Sequence, residues 1–312
     1  MKEIYCDLCK AADFINYMPQ SGRAVKLPGE YRITESHACP PDKIVQCVSC
    51  GLVYVPQGGD AQTLHEYYRT MVDERYAAEE QSRRLTAKAV LKKLVPFQRD
   101  GNRLLDVGCS LGFFLVEAQL AGWEVQGVEL SEWAASQARK HYGLTVHNTT
   151  LRQARLPPQS FDVIVLQDTL EHLESPRETL TEIRRLLRPA GVVFLNTPDI
   201  ESLPSRVLGM RWWGIHNFHL FYFSRRTLAR LLRVVGLQPI IWTSFPRNFS
   251  WGYLIHRLRR YNPAAAALLR CAAVVMGGET RIIAINNYEQ IGVIARNSGF
   301  MTVHEDGRQR GS

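Results

Sequence analysis

From Asn102 onward the chain alternates short β-rich apolar runs with amphipathic segments. The runs RLLDV (103–107), EVQGV (124–128), TVH (145–147), FDVIVLQ (161–167) and VVFLN (192–196) read as strands, and further strands are expected at Gln238–Thr243 and Ile291–Ala295. Strands that alternate with helical patterns predict a mostly parallel sheet joined by crossover helices, an α/β class. The helix boundaries carry their own chemistry. Ser175-Pro176-Arg177-Glu178 reads as a capping box with proline at the first helical position, and that helix stops at Arg188-Pro189-Ala190-Gly191. Another helix runs from Ser224, a good N-cap, to Gly236, a good residue just past the end. Residues 61–97, with Tyr67, Tyr68, Tyr76 and alternating charges, also read as helical.

Composition changes this picture only modestly. The 312 residues are 46% hydrophobic and 22% charged, which suits one sizeable α/β core and a small appendage. The opening MKEIYCDLCK is mixed, so a secretory signal is not expected. The longest apolar stretch, 264–276, is interrupted by Arg270 and is too short to span a bilayer. The expectation is a soluble, cytoplasmic protein. A net charge of +8 favours anionic partners in general, yet the arginines are spread over three places, Arg184–Arg188, Arg225–Arg233 and Arg257–Arg260, and read as solvated helix faces.

Texture divides the chain into a cysteine-bearing module (1–58), a helical linker or cap (59–100) and a main domain (101–296). The main domain carries a lid-like insert at 199–223 and a helical insert at 247–278, and a polar tail, 297–312, is expected to be disordered. Four of the seven cysteines form two pairs, Cys6-x-x-Cys9 and Cys47-x-x-Cys50. Thiolates at this spacing bite one tetrahedral ion, and two pairs complete a closed structural zinc site. A redox pair is the rival, disfavoured because no βαβ pattern surrounds either pair. His37 or Cys39 could replace one ligand. So small a module has too little core to fold alone, so the metal is expected to supply its stability.

The decisive segment is Leu104-Leu105-Asp106-Val107-Gly108-Cys109-Ser110-Leu111-Gly112. An apolar strand enters a glycine turn that lets backbone approach a ligand, and a helix follows directly. Glu129 ends the next strand, about 20 residues on, where a carboxylate can accept hydrogen bonds from ribose hydroxyls. The acid before the first glycine suits a ligand with an ammonium group better than a pyrophosphate. Asp106 to Gly112 resembles motif I of the class I, Rossmann-like methyltransferases that use S-adenosylmethionine. Phe161–Val165 is similar to the same family's fourth-strand motif. The resemblance implies a seven-stranded, mostly parallel sheet with helices on both faces. It further implies a cofactor site of Asp106, Gly108, Cys109, Ser110, Gly112, Glu129, Leu130, Leu151 and Gln167. Ser110 departs from the family's middle glycine. No clear acid precedes Leu156, so Leu151 and nearby backbone are expected to pack the adenine. Nothing marks Cys109 as a nucleophile.

Methyl transfer is an in-line displacement that requires acceptor positioning and, for most acceptors, a proton acceptor. Glu171-His172-Leu173 after the fourth strand, and His219-Leu220-Phe221-Tyr222-Phe223-Ser224 beyond the fifth, resemble elements of a subgroup that includes ubiquinone-type O-methyltransferases and sugar-modifying enzymes. His172 and His219 are therefore the catalytic candidates, and a divalent metal shared by Glu171 and His172 is a further use of that pair. Tyr67 and Tyr68 could close over the cofactor or form an exposed face. The stretch Trp251–Tyr261 mixes aromatics with arginines and reads as a packed flap or an interfacial helix near lipid-linked substrates. The expected function is methylation of a small acceptor, a sugar or glycan precursor or a secondary metabolite. A zinc-ribbon RNA methyltransferase is the rival, disfavoured by Gln167-Asp168-Thr169-Leu170 where base methylases carry Asn/Asp-Pro-Pro-Tyr. A non-catalytic cofactor-fold binding protein is the third reading. Oligomeric state is not read from the sequence.

Overall fold

The computed structural model describes residues 5–18, 43–56, 61–99, 101–216, 218–259, 261–286 and 288–297, without the side chains of 61–64. His37 and Cys39, the alternative ligands, and the tail beyond 297 lie outside the described residues.

Seven strands form the central sheet. In chain order they are β4 (Arg103–Val107), β5 (Glu124–Val128), β6 (Val146–His147), β7 (Phe161–Gln167), β8 (Leu187–Pro198), β10 (Leu237–Thr243) and β13 (Gln290–Asn297). Across the sheet the order is β10-β13-β8-β7-β4-β5-β6. β13 runs antiparallel to both neighbours and the other pairings are parallel. The strands bury both faces, so their apolar runs are continuous instead of alternating. Phe161 through Leu166 are all buried. Successive side chains still divide between faces. Leu105, Ile164 and Val193 pack with Leu180, Ile183 and Leu228 from α6 (Pro176–Leu186) and α8 (Arg225–Val234). Leu104, Val163 and Val192 pack with Val90, Leu94 and Leu115 from α3 (Glu80–Leu94) and α4 (Phe113–Leu120). Two further helices, α1 (Ala61–Thr70) and α2 (Glu74–Ala78), precede α3, and α5 (Glu132–Tyr142) joins β5 to β6.

One cap differs from expectation. Ser175 accepts the Glu178 N–H at 3.3 Å, but the exposed Glu178 carboxylate is turned towards Arg152, 3.7 Å away, instead of back to the cap. The reciprocal capping box is found at Ser224 and Thr227. Ser175 is held from another direction. Its hydroxyl donates to Asp7 at 3.1 Å, and Asp7 also accepts the Arg177 N–H at 2.9 Å, a carboxylate seated on the first turn of α6.

Asp7 belongs to the cysteine-bearing region, which is built into the main domain. β1 (Phe14–Met18), β2 (Ile44–Cys47) and β3 (Val53–Tyr54) form a sheet completed by β9 (Phe221–Tyr222), which lies inside the 199–223 segment. Cys6, Leu8, Cys47 and Leu52 share a buried cluster with Ile164 and Leu180. The 199–223 segment also holds a short helix, α7 (Leu203–Leu208). Between β10 and β13, two helices, α9 (Trp251–Arg259) and α10 (Pro263–Val275), are framed by an antiparallel ribbon of β11 (Arg247–Ser250) and β12 (Ile282–Ile285). That ribbon was not legible, because RNFS shows neither a continuous apolar run nor strict alternation. Among the described residues no helix is long and apolar enough to cross a membrane.

Candidate active site

At the carboxyl end of β4 the backbone turns through three left-handed residues, Gly108 (φ 79°), Ser110 (φ 47°) and Gly112 (φ 79°). A Cβ on Gly108 would sit 2.6 Å from Thr169 Oγ1, so only glycine lets the turn lie against the end of β7. Gly112 answers to packing instead, since a Cβ there would meet Leu144 Cδ1 at 2.4 Å. Ser110 adopts this conformation with a side chain, at a cost of about 1–2 kcal/mol.

The same turn fixes Glu129. Its carboxylate accepts the Ser110 N–H at 2.8 Å and the Ser131 N–H at 2.7 Å. Burial pushes Glu129 above the usual carboxylate range, and those two amides work against the rise. Behind the turn Asp106 is only 3% exposed. Burial, and then the neighbouring Glu129, push it up to about 8.

Gly108, Ser110, Glu129, Leu130, Leu151 and Gln167 all line one cavity of about 1120 Å³. Asp106, Cys109 and Gly112 are not among its lining residues. The Cys109 sulfur instead fills the space beside Gly127, where a Cβ would approach it to 2.6 Å, and burial raises its thiol well above the ordinary range.

The same cavity is lined by Asp168, Glu171, His172, His216 and His219. Asp168 follows β7 in a left-handed conformation (φ 49°). Its carboxylate accepts hydrogen bonds from Arg247 at 2.8 Å, Gln290 at 2.7 Å and Asn196 at 2.9 Å. Glu171 is 1% exposed; one oxygen accepts from Thr197 Oγ1 at 3.0 Å, and the other lies 3.9 Å from His219 Nε2. Burial, with Asp168 adding to it, raises Glu171 to about 8. His172 Nδ1 lies 2.8 Å from the Phe218 carbonyl and 2.9 Å from the Tyr68 hydroxyl. Burial lowers the His172 pKa and favours the neutral ring. The His219 and His216 rings are 3.6 Å apart at their centroids, and those of His219 and His172 are 4.7 Å apart. Thus His172 and His219, about 50 residues apart in sequence, share one wall.

Helix α1 joins that wall. Tyr67 stacks on Phe218 with centroids 4.9 Å apart, and Tyr68 contacts both Phe218 and His172. Sequence reasoning missed Arg247, Asn196 and Gln290, which sit on three different elements. It also passed over Asp168, although a residue directly beyond a parallel strand's carboxyl end is where α/β folds place ligands. Arg83 was missed too. Its guanidinium lies over the Tyr76 ring (4.8 Å) and near the Tyr253 ring (5.5 Å), and its Nε is buried without a hydrogen bond among the described residues.

Away from the cavity the four paired cysteines converge. Cys6 and Cys50 sulfurs are 3.5 Å apart, as are those of Cys9 and Cys47, none is in a disulfide, and all four sulfurs lie within 4.8 Å of one another.

Sheet order, glycine turn and strand-ending acid together define a Rossmann-like nucleotide-binding enzyme of the methyltransferase class. Residues 77–240 match the family described as a methyltransferase domain, and the chain belongs to that family as an S-adenosylmethionine-dependent methyltransferase. It is 36% identical over 162 residues to the ubiquinone biosynthesis O-methyltransferase of Azoarcus sp., a match that covers 47% of this chain and 69% of that one. The enzyme of the same name from Cereibacter sphaeroides is 28% identical over 190 residues, covering 53% of this chain and 76% of that one. Among solved structures, a chain from the complex of a Haloferax volcanii methyltransferase activator with a methyltransferase superposes with a TM-score of 0.52 at 15% identity. That superposition covers 75% of this chain and 97% of that chain, and shows the shared fold.

Proposed function

We propose that the chain methylates an oxygen of a small hydroxylated molecule held between the glycine turn and the histidine wall. The bound cofactor supplies an electrophilic methyl group on a sulfonium. Glu129, held in place by two amides, accepts the ribose hydroxyls, and Leu130 and Leu151 pack the adenine. Gly108, Ser110 and Gln167 shape the passage of the amino-acid end, with the Asp106 carboxylate behind the turn as counter-charge to its ammonium. Arg83, a buried cation on the cavity lining, faces the carboxylate of that end. Across the cavity Tyr68, His172 and His219 orient the acceptor, and the Glu171–histidine group takes its proton. The similar enzymes are named O-methyltransferases, which favours oxygen as the methylated atom. A hydroxylated sugar or secondary metabolite satisfies the same polar wall.

In the same reading the four cysteines hold a structural zinc ion. The sulfurs of a tetrahedral zinc thiolate site, with bonds of about 2.3 Å, stand about 3.8 Å apart, close to the 3.5 Å of the two pairs here. The ion would fix β3, which pairs with β9 two residues beyond His219.

The single observation that carries this reading is one cavity lined both by Glu129 and by His172 and His219. The test incubates the purified, zinc-analysed chain with S-adenosylmethionine and panels of phenols and sugars, and follows mass gain by one methylene unit. Product from hydroxylated acceptors, with equimolar release of S-adenosylhomocysteine, is expected. Methylation of amines alone, or of none of the panel despite bound cofactor, would contradict it.

A further inference from the structure

The segment between β10 and β13 supplies the cavity with charge as well as shape. Arg247, Tyr253 and Arg257 line it together with Arg83 of α3. Tyr253 and Arg257 stand four residues apart on α9, so both side chains leave the same face of that helix. The start of α9 is fixed against the start of α3. The Ser250 hydroxyl donates to Glu79 at 2.6 Å and accepts the Tyr253 N–H at 3.0 Å.

The nearby carboxylates divide unevenly among the cations. Asp168 takes Arg247 at 2.8 Å, and Glu279, the acid beside Gly252, takes Arg270 at 2.8 Å. Among the described residues Arg257 has no hydrogen bond and no ion pair. Its guanidinium lies over the Trp213 ring, 5.8 Å from the centroid, a cation–π contact that steadies the group and leaves its N–H edges to donate.

Position separates this cation from Arg83. Arg83 lies over Tyr76, which stacks on Phe113 directly after the glycine turn (5.8 Å, 7°), and so belongs with the cofactor. Trp213 instead precedes Gly214, whose carbonyl lies 2.7 Å from His219 Nδ1. Tyr253 feels both cations. Burial acts to raise its phenol, but Arg257, Arg83 and Arg247 outweigh burial and hold it below its ordinary value. A positive field of that kind favours an anion.

We infer that Arg257 and Tyr253 form an oxyanion subsite for the acceptor, which carries a carboxylate or a phosphate besides the hydroxyl that receives the methyl group. This inference rests on the methyl-transfer reading above and adds the charge of the acceptor to it. A guanidinium offers paired N–H donors that fit either group, and the Tyr253 hydroxyl supplies one donor more. With Arg83 turned to the cofactor's carboxylate, Arg257 is the cation left for a second anion. The 199–223 segment joins the subsite to the histidines, since Trp213, His216 and His219 line the same cavity.

The test saturates the full chain with S-adenosylhomocysteine, so that Arg83 is engaged, and titrates it by calorimetry with three probes. These are hydroxybenzoate, hydroxyphenyl phosphate and the neutral methyl ester of hydroxybenzoate. At least one anion should bind about 10-fold or more tighter than the ester, and the tighter of the two names the group. Arg257→Gln should cut that preference to below about 3-fold, and Tyr253→Phe should cut it by about 2-fold or more. Arg259→Gln, which removes the same charge from an exposed position on the same helix, should keep it. S-adenosylhomocysteine affinity on the same samples shows that each variant is folded. Equal binding of ester and anions, no binding of either anion, or a preference that survives Arg257→Gln would overturn the subsite. If the anions bind in this way and no phenol is methylated, the methyl-transfer reading falls and the subsite stands. If phenols are methylated without regard to their charge, that reading stands and the subsite falls.

Discussion

The proposed donor side of the cavity comes chiefly from residues 106–131, where a strand, a turn and the end of the next strand hold Gly108, Ser110 and Glu129 through main-chain bonds. The proposed acceptor side takes Tyr68 from α1, Asp168 to His172 from beyond β7, Asn196 from β8, His219 from the 199–223 segment, Arg247 from β11 and Gln290 from β13. One side is shaped by backbone and is local in sequence. The other is shaped by side chains, and its parts meet only once the fold is complete. Backbone sites of this kind serve one shared cofactor, whereas distant side chains can vary with the acceptor.

The largest effect that separates the two sides belongs to Gly108. Gly108→Val forces a branched side chain into a φ of 79° and against Thr169. Strain of about 1–3 kcal/mol together with the clash should weaken S-adenosylhomocysteine binding by about 100-fold. Cofactor affinity within a few-fold of the parent, measured by calorimetry, would break the division.

Protonation of Asp106 should give a smaller, pH-dependent effect. Its pKa is raised from 3.8 to about 8, so the folded, ligand-free chain holds a proton that the unfolded chain releases. Stability from this group is therefore complete below pH 4 and is lost as pH rises towards 8. Glu129 is the titratable neighbour that helps to raise it, and Tyr76 and Cys109 feel its charge. An ammonium group that binds there favours the ionised acid, so cofactor affinity should climb from pH 6 towards 8. It should fall again as the cofactor's own amine, with a pKa of about 8, loses its charge. Asp106→Asn should remove the rising limb. Calorimetry in buffers of different ionisation enthalpy reads the proton released, and a rising limb that survives in Asp106→Asn would contradict the assignment.

The smallest effect concerns Ser110. Ser110→Gly removes the left-handed penalty and adds chain entropy on unfolding, two terms of about 1 kcal/mol that nearly cancel. The melting temperature should move by only a few degrees and the cofactor affinity by less than about 3-fold. A tenfold loss of affinity would mean that the serine hydroxyl itself touches the ligand.

The same contrast explains what could be read from the chain. RLLDV, EVQGV and FDVIVLQ were legible to the residue because short β-rich runs alternate with amphipathic helical segments, and FDVIVLQ is the clearest because it is buried on both faces. The geometry of the Asp106–Gly112 turn and of Glu129, which accepts the Ser110 N–H, was legible because it depends on spacing along one segment. Glu171, His172 and His219 were found only because two short elements resembled known ones. Their relation to one another, and to Arg247 and Tyr68, depends on pairings between β3 and β9 and between β11 and β12. Those strands are two to four residues long and carry too little periodicity to announce themselves. The partnership of Asp7 with α6 was hidden for the same reason.

The most direct measurement is a paired one on Glu129→Ala and His219→Ala. Calorimetric S-adenosylhomocysteine affinity and methyl-transfer rate would be read on each variant. Glu129→Ala should weaken cofactor binding by about 1–3 kcal/mol, or about 5- to 150-fold, through lost charged hydrogen bonds. His219→Ala should leave that affinity within about 2-fold while lowering turnover by about 100-fold or more. Unchanged cofactor affinity in Glu129→Ala, or equal loss of affinity in both variants, would contradict a cavity with a backbone-built donor side and a separate acceptor side.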